Sequence, residues 1–169
     1  MTLSLFDITV PVFIRGFRNL SANLEKARAH AEAEGIPVED IIGARLFPDM
    51  LPLSGQVQRA SDTAKFVPAR VGGLEAPAMP DTETSFADLA ARIDATVAYL
   101  KTVPDDAFDG REATEVALPA GGGRTINFTA RDYVLNFAVP NFYFHLSIAH
   151  GIMRHKGVAI GKLDFLGGR

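Results

Sequence analysis

Apolar positions recur three and four residues apart along four long stretches of this 169-residue chain. In the first, Phe6, Val10, Phe13, Phe17, Leu20, Leu24, Ala27 and Ala31 alternate spacings of four and three. That is the narrow seam of a bundle helix. Pro11 predicts an irregular or kinked first turn, and Gly35 followed by Pro37 ends the helix. Val38 to Pro48 reads as a connector with room for one short helix. The second seam is Met50, Leu53, Val57, Ala60, Ala64, Val67 and Val71, in a helix expected to begin near Asp49 with Pro52 in its first turn. Gly72-Gly73 closes it, and the proline-bearing stretch Leu74 to Thr84 is a loop. The third helix starts at Ser85, where Ser85-x-x-Asp88 can form a capping box, and Pro104 stops it. Its stripe is Phe86, Leu89, Ile93, Leu100 and Val103.

Glu115 to Leu118 and Arg124 to Phe128 read as two short strands around Gly121-Gly122-Gly123. A hairpin alone is marginal in water, so it must lean on the helices. The fourth helix runs from Thr129, its cap with Asp132 as the reciprocal residue, to Lys156, and Pro140 should bend it. At 100° per residue, Val134, Phe137, Ala138, Asn141, His145, Ile148 and Ile152 share one face. Leu135, Phe142, Leu146 and Met153 form a second stripe about 100° away. A helix apolar over that much circumference is either central in one chain or part of an interface. The second alternative predicts a homodimer. The expectation is therefore mainly α: a four-helix bundle with a small β-hairpin before the last helix, in one domain spanning 1–169.

Composition narrows the chemistry. There is no cysteine, which removes disulfides, thiolate nucleophiles and Cys-ligated zinc, and fits a cytoplasmic protein. The net charge of −3 comes from interspersed acids and bases, with no basic face for nucleic acid. No apolar run reaches the ~18 residues that span a bilayer, and the N-terminal stretch lacks the marks of a signal peptide. No P-loop or G-x-S-x-G occurs.

The candidate site is polar. Asn141 and His145, one turn apart at the centre of an apolar stripe, are costly unless partnered. They are either a mutually bonded structural pair or a ligand site, joined from the second helix by Gln56 and Asp49. Asp49 also suits a helix N-cap, and Gln56 suits a bridge to backbone. His145, His150 and His155 are spaced five apart, so no two of them can chelate one metal from one helix. His30 reads as a surface residue, Arg45 and Asp49 as a pair one turn apart, and Arg59 and Lys65 as a solvated face.

The blocks PVFIRGFRNLS, PDMLPLSGQVQRASDTAK, DTETSFADLAARI, the FDG before the hairpin and NFYFHLSIAHGIMRHKGVAIGKLDFLG together resemble an uncharacterised bacterial family. It is a domain of unknown function, number nineteen ninety-three, within the DinB-like superfamily, and the likeness covers nearly the whole chain. The resemblance implies a DinB-like bundle with a long crossover, often dimeric. Better-known DinB-like relatives hold a divalent metal with one histidine from the second helix and two from the fourth. Here the second helix has no histidine, and Ala149 stands one turn after His145. No metal ligand carries over, and no cofactor is expected. The resulting expectation is a small-molecule-binding dimer without an assigned activity. The alternative is a metal-dependent hydrolase or transferase using His145.

Overall fold

The computed structural model describes residues 3–168. Helix α1 (Val10–Glu34) carries Pro11 in its first turn, where no amide is needed, and closes on Gly35 in the left-handed conformation (φ 64°). Phe6 lies in the turns before it, so the helix begins later than the seam does. A short helix α2 (Val38–Ile42) sits in the connector. Helix α3 (Leu53–Gly72) begins four residues after Asp49, with Pro52 at its N-cap and no side-chain cap. The reason is local: a proline disfavours helical geometry in the residue before it, which keeps Leu51 out of the helix. Asp49 is thus an exposed turn residue rather than a cap. Helix α4 (Phe86–Leu100) opens on the expected box, with the Ser85 side chain accepting from Asp88 N and Asp88 accepting from the Ser85 backbone.

Strands β1 (Glu115–Pro119) and β2 (Thr125–Thr129) pair antiparallel, with Val116 opposite Phe128 and Leu118 opposite Ile126. Val116 and Leu118 face the core. Thr129 then caps α5 (Ala130–Tyr133), accepting from Asp132 N. A π-helical turn (Val134–Ala138) follows, and α6 (Val139–His155) continues it. The expected bend takes this form because Pro140 lacks an N–H and its ring would clash with the carbonyl four residues back. Val139 N instead reaches Val134 O, five residues back. A last short helix, α7 (Lys162–Leu166), lies against α1.

In cross-section α1 and α3 each pack on both α4 and α6, so α1 faces α3 across the core. The connector from α1 to α3 therefore crosses the bundle. Phe13, Phe17, Val57, Leu89 and Phe142 are fully buried, and Leu24 nearly so. Phe142 packs between Phe13 (4.6 Å between ring centres, tilted) and Phe17 (5.1 Å, edge to face). One sequence expectation fails here. Ile148 is only half-buried. Of the two alternatives for the second stripe of the last helix, Phe142, Leu146 and Met153 take the central one, buried within the chain, while Leu135 is exposed.

Candidate functional site

The polar residues of the last helix turn toward α3, not toward each other. His145 Nδ1 lies 2.8 Å from Gln56 Oε1. Asn141 Nδ2 donates to Thr63 Oγ1 at 2.7 Å, and Thr63 in turn donates to Arg59 O. The expected Asn141–His145 pair is therefore replaced by two separate bonds across the α3–α6 seam. Helices packed antiparallel bring such groups level with a neighbour more directly than with residues one turn away on their own helix.

Hydrogen-bond directions fix the state of the imidazole. Gln56 donates its Nε2–H to Leu51 O at 2.9 Å, so its Oε1 faces His145 as an acceptor. Nδ1 must then carry the ring proton, and Nε2 keeps its lone pair. Nε2 has no partner among the described residues. It is not among the sealed, unpartnered atoms, which are Asn23 Oδ1, Arg92 Nε, Tyr99 OH and His150 Nδ1. It therefore reaches solvent, although the residue as a whole is only 9% exposed. Burial, and then the positive charge of Arg59, push His145 down from 6.5 to about 4. The ring is neutral at physiological pH.

Arg59 belongs to a cluster that the sequence reading placed in solvent. Asp62 accepts from Lys65 (2.9 Å), Arg59 (3.2 Å) and Arg92 (3.1 Å). Arg92 also binds Asp81 (3.0 Å), Glu83 (2.8 Å) and Pro80 O (3.2 Å), and Arg59 pairs with Asp81. Lys65 and Arg92 are 4% and 5% exposed. Three cations balance three carboxylates, the condition under which buried charge is tolerated. Burial disfavours the charged form of Glu83, yet hydrogen bonds from Arg92 and Gln58 hold its carboxyl below the usual range. The cluster ties α3, α4 and the loop between them into one frame around Arg59. The spacing Arg59-x-x-Asp62-x-x-Lys65 was its only trace in the sequence.

The remaining candidates separate. Asp49 lies on the connector, where Arg45 bonds Met50 O instead of pairing with it. His30 is not free at the surface but meets Lys156 O at 3.2 Å, at the end of α6. Cavities of about 420 and 450 Å³ lie elsewhere, beside α7 and beside the α3–α4 loop.

A three-histidine metal site does not fit these residues. Beyond His145, the neighbouring donors are the neutral amides of Gln56 and Asn141, already engaged, and Ala149 offers none. Among the described residues no group of three His, Asp or Glu could hold an ion. Nor is any helix of the described residues long and apolar enough to cross a membrane.

Comparison with known proteins bears on the fold and the family. The model of a family described as Domain of unknown function (DUF1993) matches residues 5–166. The crystal structure of a DinB family member protein from Shewanella denitrificans is similar over 98% of this chain and 93% of that one, at 36% identity and a TM-score of 0.90. Among curated proteins none matches. The architecture is DinB-like: mainly helical with one antiparallel hairpin.

Proposed function

The chain belongs to the family described as Domain of unknown function (DUF1993), and on that premise we propose that it is a cytoplasmic small-molecule-binding protein, acting as a homodimer, whose ligand docks on His145. One observation carries the reading: an uncharged imidazole with Nδ1 pinned by Gln56 and Nε2 open. Such a group accepts a hydrogen bond from an N–H or O–H at neutral pH. Besides Gln56 and the charge of Arg59, apolar side chains flank it. The ring of Phe144, 53% exposed, lies 5.3 Å from that of His145. Leu46 and Leu51 bring the exposed apolar edge of the connector to the same two helices. Leu51 holds Gln56 through its carbonyl, and Leu46 lies 3.4 Å from where a Gly151 side chain would begin. These features suit a largely apolar molecule carrying one hydrogen-bond donor. Asn141 serves as a rim contact and Gln56 as the orienting group, and Asp49 stands apart on the connector. A second copy covers the exposed Phe144 and Phe47, and the lack of cysteine supports a reducing compartment.

A second reading, a metal-dependent hydrolase or transferase using His145, has one observation in its favour. A metal-bound imidazole also has one nitrogen pinned and the other directed outward. The donor set ranks it below binding.

Ligand-observed NMR of the unmodified protein and of His145→Gln against a fragment set, with elemental analysis of the same samples, tests both. Fragments bearing a donor on an apolar body should bind the unmodified protein and lose binding in the variant. Equal binding to both proteins would refute the site. One transition metal per chain, lost in the variant, would favour the second reading.

A further inference from the structure

We propose that the cleft between α1 and α7 is a second binding site, separate from His145, for an amphiphilic anion: a carboxylate or phosphate on a short apolar tail. Arg15 and Arg18 line a cavity of about 420 Å³ there, with Asn19, Leu163, Leu166 and Gly167. The two arginines stand three residues apart on one face of α1, so their charges repel. Neither has a hydrogen bond or ion pair with any described residue. Farther along the same helix, Arg28 is paired with both Glu25 and Glu32. Among the described residues no carboxylate lines the cleft. Asp164, the acid of α7, is committed to Lys26 and to the backbone N–H of Gly161.

The walls are fixed. Asn19 Nδ2 donates to Phe165 O at 3.1 Å, which clamps α7 to α1. Gly167, at φ 94°, passes so close to Asn19 that a Cβ there would sit 2.7 Å from Oδ1. Above the arginines, Leu163 and Leu166 are 68% and 57% exposed, and three residues apart they share one side of α7. Two guanidinium forks, each matched in shape to a planar or tetrahedral oxyanion, therefore sit beside two solvent-facing leucines. An inorganic anion would satisfy only the arginines and a neutral amphiphile only the leucines. The volume falls within the ordinary range for a small-molecule site.

Isothermal titration of the full chain with octyl phosphate below its micelle concentration tests this. Inorganic phosphate and octyl glucoside serve as half-ligands. Octyl phosphate should bind saturably, and each half-ligand should bind roughly tenfold or more weakly. The double variant Arg15→Gln/Arg18→Gln should lose octyl phosphate binding. Leu163→Ser/Leu166→Ser should weaken it toward the level of inorganic phosphate. Both pairs are at the surface, and an unchanged circular dichroism spectrum checks the fold. Vesicles of phosphatidylglycerol and of phosphatidylcholine separate the sources. Binding to the anionic vesicles alone, lost in the arginine variant, assigns the site to a membrane headgroup. Octyl phosphate binding without vesicle binding assigns it to a free amphiphile. No saturable octyl phosphate binding, or binding unchanged in the arginine variant, overturns the proposal.

Discussion

Acidification should weaken the fold through His145, by an amount the structure sets. The folded ring titrates at about 4 and the unfolded one near 6.5. Between those values the unfolded chain binds a proton that the native site refuses. The native state is therefore favoured in full above the unfolded value, and that share is lost as the pH falls through 6.5 toward 4. The whole shift corresponds to about 3.4 kcal/mol, and lowering the pH from about 8 to about 5 should remove about 2 kcal/mol of it. Solvent at Nε2 eases the penalty, so these figures are ceilings.

His145→Gln isolates the effect. A glutamine amide can still donate to Gln56 Oε1 but takes up no proton. Urea unfolding of both proteins across this range should show the unmodified chain losing about 1–2 kcal/mol more than the variant. His150, also held down by burial, contributes with the same sign in both proteins and cancels in the difference. Hydrogen bonds from Arg92 and Gln58 hold Glu83 below the usual carboxylate range, away from this window. The imidazole resonances give an independent reading, with His145 still neutral at about pH 5.5. Parallel pH profiles for the two proteins, or a His145 midpoint near the free value, would refute the reasoning.

Other outcomes follow from particular contacts. Arg92→Ala should cost about 3–5 kcal/mol in urea unfolding, because it strips buried Glu83 of its cation and leaves a gap beside Asp62. Gly16→Ala should cost about 1–3 kcal/mol in thermal unfolding, since the added Cβ would fall 2.6 Å from the Phe142 ring. Phe142→Asp should abolish cooperative folding rather than split a dimer, because the ring is sealed between Phe13 and Phe17. Phe144→Glu, on the open side of α6, should leave the fold intact and shift sedimentation toward monomer. A monomeric unmodified protein at micromolar concentration would remove the dimer.

The bundle was legible because its seams are local. Spacings of three and four, the Ser85 box and the Gly35 and Gly73 stops are each written within a few residues, and each stands where the sequence placed it. The phase of the last helix was not local in that way. Counting at 100° per residue from Val134 assumes an unbroken α-helix, but the π turn before Pro140 holds one residue more than an α turn. Downstream, the core seam runs through Phe142, Leu146, Ala149 and Met153, while Asn141 and Ile148 of the expected face are only half-buried and Ile152 stays in the core. The same slip moves His145 from the centre of the seam to its edge against α3, where one nitrogen meets Gln56 and the other meets water. Pro140 was visible in the sequence. Its effect depended on whether the missing amide would be absorbed as a kink or as a wider turn, and that choice is made by the packing around it. The partners Gln56 and Thr63 lie 89 and 78 residues from theirs, beyond the reach of helical spacing. A site made across two helices by a one-residue slip in one of them leaves its polar residues readable and their pairing hidden. The π turn thus does two things at once: it keeps Phe142 and Leu146 in the core and presents a neutral imidazole at its rim.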